Sequence, residues 1–101
     1  MSSKRIFVVQ DSAVDGVAEI AVPFSGSVQF TLVPISAAGN ATIEATPAGL
    51  TTYEAVYDDA GNPLVVDLSL QTTLVLNWKA VGSIRATSSN SADTFKLVAG
   101  M

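Results

Sequence analysis

Carboxylates and serines supply most of the side chains in this sequence that could do chemistry. The chain has nine Asp and Glu residues but no histidine and no cysteine. Acid–base catalysis needs two titratable groups close together, and nucleophilic catalysis needs a base beside the nucleophile. No G-x-S-x-G motif occurs. Most of the acids instead fall on the polar positions of alternating runs or in turns: Glu44 and Asp67 in runs, and Asp15, Asp58, Asp59 and Asp93 in turns. We therefore predict solvated or turn-forming carboxylates and a protein that is not an enzyme.

The segment Asp58–Asn62 offers several oxygen ligands within a tight loop, as a calcium ion would require. It lacks the alternating D-x-D-x-D-G spacing and the distal bidentate glutamate of a calcium loop. Asp and Asn beside Gly are common in turns because both tolerate turn geometry. We therefore predict a turn here, with no metal and no other cofactor.

Three aromatic residues, Tyr53, Tyr57 and Trp78, could form a platform for a sugar ring. Large aromatic side chains on an alternating strand belong more often to the core, with their polar atoms at its rim. Tyr53 and Tyr57 share one face of a predicted strand, so we expect at least one of them near the surface. A small carbohydrate-binding, lectin-like module that uses these residues is the alternative function.

The chain carries little charge for its apolar content. Hydrophobic residues make up 49% of it and charged residues 14%, against about 25% charged in typical domains. Ser, Thr, Ala and Val must then cover much of the outside, and such a surface is poorly defended against association. We predict a homo-oligomer or a surface covered by a partner; the alternative is a monomer with a Ser/Thr-coated exterior.

The charges are also unevenly distributed. Between Ile6 and Trp78 there are eight acids and no base, so the chain cannot build a large basic face and we expect no nucleic-acid partner. The apolar run that starts at Ile6 ends at Gln10, which is too short for a signal peptide. No run approaches the roughly 20 apolar residues of a membrane helix. We expect synthesis in the cytoplasm and no membrane association.

The elements that must position these residues are short runs of alternating apolar and polar residues. Side chains of a strand point to opposite faces in turn, so each run has one face to bury. The predicted inward residues are Val28, Phe30 and Leu32, then Ile43 and Ala45, then Ile84 and Ala86, then Phe95 and Leu97. Lys96 is predicted to point outward, and no 11-residue window from Gly61 to Gly100 shows helical spacing.

Turn residues separate the runs at spacings of roughly 8–12 residues, as in a sandwich or small barrel. Pro34 is predicted to end one strand, and a strand is predicted over 51–57. The sequence predicts an all-β fold: a single-domain antiparallel β-sandwich over 1–101, Ig-like or jelly-roll-like, with seven to nine strands. Residues 1–26 are expected to be an extended N-terminal arm or an edge-strand region.

Four segments carry a family resemblance: VQFTLVP, ATIEATPAG, YEAVYDDAGNPLVVDL and SIRATSSNSADTFKLVAG, which follow one another from Val28 to Gly100. Their order resembles the small all-β accessory proteins of tailed bacteriophage virions, in which a Ser/Thr-rich turn joins the last two strands. The resemblance implies a β-sandwich in the virion that binds a major capsid or tail protein as a decoration, cement or fibre-base module, often as an oligomer. It implies no catalytic residue.

For such a module we expect contact through an unpaired N-terminal segment (Ser2–Val9) and an edge strand, because an exposed strand edge can pair with another chain. The candidate interaction residues are Arg5, Ile6, Phe7, Val8, Tyr53 and Tyr57.

Overall fold

Runs of β-branched and aromatic residues alternate with polar ones along the chain, and in the computed structural model these runs are strands. The structure describes residues 7–10, 15–22, 26–46, 52–78 and 82–100. This part of the chain has nine strands, paired antiparallel throughout, and no helix. It therefore contains no helix that is long and apolar enough to cross a membrane. The all-β prediction and the predicted number of strands are confirmed.

The strands are β1 (Phe7–Gln10), β2 (Val17–Val22), β3 (Gly26–Ser36), β4 (Asn40–Ala45), β5 (Glu54–Ala55), β6 (Val65–Asp67), β7 (Thr72–Trp78), β8 (Gly82–Ser88) and β9 (Thr94–Gly100). Sheet A has the order β1-β9-β3-β7. Sheet B has the order β2-β8-β4-β5, and β6 also pairs with β4. The two strands from the first 26 residues thus lie at edges of different sheets.

The core lies between the two sheets and is built from the inward positions of the alternating runs. Phe30 and Phe95 are its largest fully buried side chains. Alternation along β3, β8 and β9 places their buried residues on one face, as strand geometry requires. The inward assignments are confirmed, with Ala45 half-buried but packed against the core, and Lys96 is exposed as predicted. This core confirms the predicted β-sandwich.

The prediction that Pro34 ends its strand is wrong. β3 continues to Ser36, with an irregularity in its pairing to β9 between Pro34 and Ser36. The physical reason is that β3 pairs with β7 only over Gly26–Leu32. Beyond Leu32 one side of β3 has no ladder to maintain, so a residue without an N–H group is tolerated there.

The predicted strand over 51–57 is wrong in length. Thr51 lies outside the described residues; within 52–57, strand β5 comprises only Glu54 and Ala55, and Tyr57 forms an isolated bridge with Pro63. The reason is that two segments share one edge of β4: β5 lies beside Glu44–Ala45, and β6 lies beside Asn40–Thr42. This edge of sheet B is therefore broken into two short strands.

Candidate interaction surface

The N-terminal candidate residues are only partly within the described chain. Arg5 and Ile6 lie outside it. Phe7 and Val8 belong to β1, whose backbone pairs with Gly100 and Ala99 of β9. The prediction of an unpaired segment is therefore wrong from Phe7 onward, because this run continues sheet A as an edge strand.

Tyr53 and Tyr57 lie on either side of the two-residue strand β5. Tyr57 is 61% exposed. Tyr53 is half-buried, and the guanidinium carbon of Arg85 lies 4.0 Å from the centre of its ring. This cation–π contact covers one face of the Tyr53 ring. Tyr57 is thus the more accessible of the two, and the side chain of Trp78 is outside the described residues.

Arg85 stands at the centre of a charged row on the outer face of sheet B. Strand register places it beside Glu19 of β2 on one side and Glu44 of β4 on the other. Its Nε atom donates a hydrogen bond to Oε1 of Glu44 at 3.1 Å, and its Nη2 atom lies 3.0 Å from the same oxygen in an ion pair. Burial and the hydrogen bond to Glu19 raise the pKa of Tyr53 to about 12. In this row Arg85 is ion-paired with Glu44, and Glu19 is a hydrogen-bond partner of Tyr53.

The outer face of sheet A differs in chemistry. Its residues are the outward alternates of the buried positions on β3, β7 and β9: Gln29, Thr31, Val33, Thr73, Val75, Lys96 and Val98. We call this set the A face. Lys96 is its one charged member among these described positions. The hydroxyl oxygens of Thr31 and Thr73 lie 3.1 Å apart across the β3–β7 pair. The A face is therefore a mostly Thr/Val surface of low charge.

Asp93 corrects the sequence interpretation, which placed it among the solvated turn carboxylates. It is only 4% exposed. Its Oδ1 accepts from the Ala38 amide at 3.1 Å, and its Oδ2 accepts from the Gly39 amide at 2.9 Å and the Ser88 hydroxyl at 2.7 Å. The carboxylate thus joins the β3–β4 connection to the β8–β9 connection. The Ser-rich stretch before Asp93 offers a hydrogen-bond partner such as Ser88. The two amides that donate to Asp93, however, are distant in the chain.

Asp93 also lines an open cleft of about 290 Å³ at this end of the sandwich. The other lining residues are Ser36, Ala37, Ala38, Asn90 and Ala92. Both carboxylate oxygens of Asp93 already accept hydrogen bonds from the protein. The hydrogen bond from Ser88 and those from the two amides hold the pKa of Asp93 below its usual range, against the opposing effect of burial. The Asp93 carboxylate in this cleft therefore serves to hold the two connections together.

The Asp93 carboxylate should make the folded protein less stable at acidic pH than at neutral pH. A depressed folded-state pKa contributes stability that is present above the unfolded value, about 3.9, and that is lost as the pH falls through the folded value. We expect Asp93→Asn to lower the melting temperature by several degrees at neutral pH, and by progressively less as the pH falls below the unfolded value of about 3.9. Thermal unfolding followed by circular dichroism across this range measures the difference.

Asp59→Asn is the control for that series, because it removes the same formal charge from an exposed turn position. We expect it to leave the melting temperature nearly unchanged at neutral pH. Equal melting temperatures for the two variants would contradict a structural role for the Asp93 carboxylate.

The segment considered for calcium is a turn closed by its own acid. Oδ1 of Asp58 accepts from the amides of Ala60 and Asn62, both at 3.0 Å. The Gly61 amide donates to the Asp58 carbonyl at 3.0 Å, which closes the predicted turn. In the part of the chain that the structure describes, no group of three or more His, Cys, Asp or Glu residues is arranged to hold a metal ion.

The comparisons with known proteins add no identification. No protein-family model, no curated protein and no solved structure matches this chain. The resemblance to phage accessory proteins therefore stays a prediction from the sequence.

Proposed function

We propose that this protein is a non-enzymatic structural component of a bacteriophage virion. In this proposal it binds the outside of the capsid or tail as a decoration, cement or fibre-base module. The order of its sequence segments supports the virion role through the family resemblance. The β-sandwich fold agrees with what that resemblance implies.

The observation that carries the proposal is the contrast between the two outer faces. The outer face of sheet B has a central row of two acids and an arginine, in which Arg85 is ion-paired with Glu44. The A face instead presents mainly threonine and valine, with one lysine near its margin. Desolvating charged groups is costly, whereas small uncharged side chains are covered at little cost. The A face is therefore the side that we assign to the particle surface.

The structural uses of the acids support a non-enzymatic role. Asp93 and Asp58 hold backbone amides in their loops. Oδ1 of Asp67 accepts from the amide and hydroxyl of Ser69 at 2.9 and 2.7 Å. Glu44 is paired with Arg85. Each of these carboxylates has a partner that explains its presence.

Weak contact by each copy suffices for such a module. A particle presents the same site many times, and linked copies gain avidity without any new contact. A small face can therefore hold a repeated protein on a lattice. The proposal requires binding to assembled particles to be stronger than binding to the isolated capsid or tail subunit.

The test uses particles of the phage whose genome carries this coding sequence, prepared from a deletion mutant that lacks the protein. Purified protein is added back, and co-sedimentation measures the bound amount. We expect saturable binding, and we expect Gln29→Lys to weaken it about tenfold or more by placing a charge on the A face, opposite Val75. Gln29 is exposed, so this variant should fold normally.

Ala21→Lys is the matched control, since Ala21 is exposed on the outer face of sheet B. It should bind as the unmodified protein does. Protein that remains in the supernatant at every concentration would overturn the virion proposal. Equal loss of binding for both variants would overturn the assignment of the A face.

A further inference from the structure

The four sheet edges are unequally protected against pairing with another chain. An exposed edge presents unpaired N–H and C=O groups, and natural proteins shield it with charges, prolines or short strands. β2 carries Glu19 and is followed by Pro23, while β5 and β6 form a broken edge. β1 has four residues in the part of the chain that the structure describes. Each of these three edges has one of the known safeguards.

The edge strand β7 has none of them. It is seven residues long, TTLVLNW, with no charge, no proline and no glycine. Within the described residues it pairs only with β3. We propose that β7 pairs antiparallel with β7 of a second copy of this chain. That pairing would join two four-stranded A sheets into one continuous sheet of eight.

The core is open at this edge, which favours a partner there. Phe30 and Val28 of β3 are fully buried, but the residues paired with them on β7, Leu74 and Leu76, are only half-buried. On the other side of the strand, Val75 is 61% exposed. A second β7 would cover the exposed parts of all three apolar side chains, and apolar burial is the main driving force of association.

The sequence of β7 suits pairing with itself. An antiparallel two-fold axis at Val75, the middle residue, sets Val75 opposite the Val75 of the second copy and Leu74 opposite its Leu76. Pairs of β-branched and apolar residues stabilise neighbouring strands, whereas like charges directly opposite each other destabilise them. No charged residue occurs in β7, so a two-fold pairing meets no such repulsion. In a similar pairing of β2, two copies of Glu19 would approach each other.

A cysteine at the proposed axis gives a direct test, because the chain has no cysteine of its own. Residues directly opposite each other on antiparallel strands have Cβ atoms about 4.5–5.5 Å apart, close enough for a disulfide after a small adjustment. We expect Val75→Cys to form a disulfide-linked dimer rapidly under mild oxidation with diamide. Ala21→Cys, exposed on edge strand β2, is the control for random collision and should stay mostly monomeric.

Solution mass gives the second readout. Sedimentation equilibrium should show the unmodified chain passing from its monomer mass of 10.4 kDa to twice that value as the concentration rises. Val75→Lys should raise the dimer dissociation constant about tenfold or more, and added salt should reverse part of the effect. Ala21→Lys should leave the constant unchanged.

A monomer mass at every concentration up to about 1 mM would overturn this inference. It would mean that the dimer dissociation constant lies above about 1 mM, which corresponds to a binding free energy weaker than about 4 kcal/mol. So would equal cross-linking of the two cysteine variants. The inference does not depend on the virion proposal, and the outcomes separate: a dimer that fails to bind particles contradicts only the virion role, and a particle-bound monomer contradicts only the β7 pairing.

Discussion

Replacing Phe30 with alanine is expected to lower the free energy of unfolding by about 3–5 kcal/mol, as truncation of a buried aromatic side chain does. Phe30 is fully buried on β3, which lies between β9 and β7 in sheet A. Its cross-strand neighbours are Ala99 and Leu74. Because Ala99 is small, it cannot fill the cavity that the lost ring would leave. Urea denaturation followed by circular dichroism measures the change.

Phe95→Ala should have a loss of the same size, since Phe95 is also fully buried, on β9. Lys96→Ala is the matched control at the next position of the same strand, where the side chain is exposed. We expect this control to change the free energy of unfolding by no more than about 0.5 kcal/mol. Equal losses at positions 95 and 96 would contradict the assignment of inward and outward faces.

The second large effect is expected at Gly16. Its φ is +76°, a backbone conformation that side chains other than glycine rarely adopt. A Cβ atom there would lie 2.9 Å from the Asn90 carbonyl oxygen and 3.0 Å from the Ser91 Cα. Both are backbone atoms, so the β8–β9 connection would have to move. Gly16→Ala should therefore cost about 2–4 kcal/mol, from the strained φ and the steric overlap together.

Gly61→Ala separates these two causes. Gly61 also has a positive φ, +84°, but a Cβ there would meet no described atom within 4 Å. We expect this variant to lose only about 1–2 kcal/mol, the cost of the left-handed conformation alone. Denaturation of both variants in urea gives the comparison. A loss at Gly61 as large as that at Gly16 would show that steric overlap between a side chain at position 16 and the β8–β9 connection contributes nothing to the loss.

The strands themselves could be predicted because their signal is local. Val28, Phe30 and Leu32 alternate with polar residues, and this period of two is enough to assign a strand and its buried face. Ile84 and Ala86 were assigned in the same way. The sandwich follows from these repeated runs, since each has a face that needs covering by a second sheet.

The errors concern pairing, which depends on residues far apart in the chain. Pro34 lies within a strand because β7 ends its pairing with β3 at Leu32. Tyr53 and Tyr57 flank a strand of two residues because β5 and β6 share an edge of β4. Neither arrangement has a counterpart in the local sequence. Local patterns predict which residues can form strands, and tertiary contacts decide where the strands end.

The candidate surfaces were harder to predict for the same reason. The sequence placed Glu44 on the polar side of its strand, but only the register of three strands brings Glu19, Arg85 and Glu44 into one row. Asp93 was assigned to solvent because its partners, Ala38 and Gly39, come from a connection more than fifty residues earlier. Both the charged row on the outer face of sheet B and the Asp93 hydrogen bonds therefore depend on contacts between residues far apart in the chain.

The neighbours of β9 constrain how newly made protein can fold. Phe7 near the start of the chain is paired with Gly100 near its end, and β9 lies between β1 and β3. Until the ribosome has made β9, the strands β1 and β3 have no shared neighbour in sheet A. Such non-local pairing slows folding and leaves apolar strands exposed meanwhile. Sheet A can therefore be completed only once β9 has been translated.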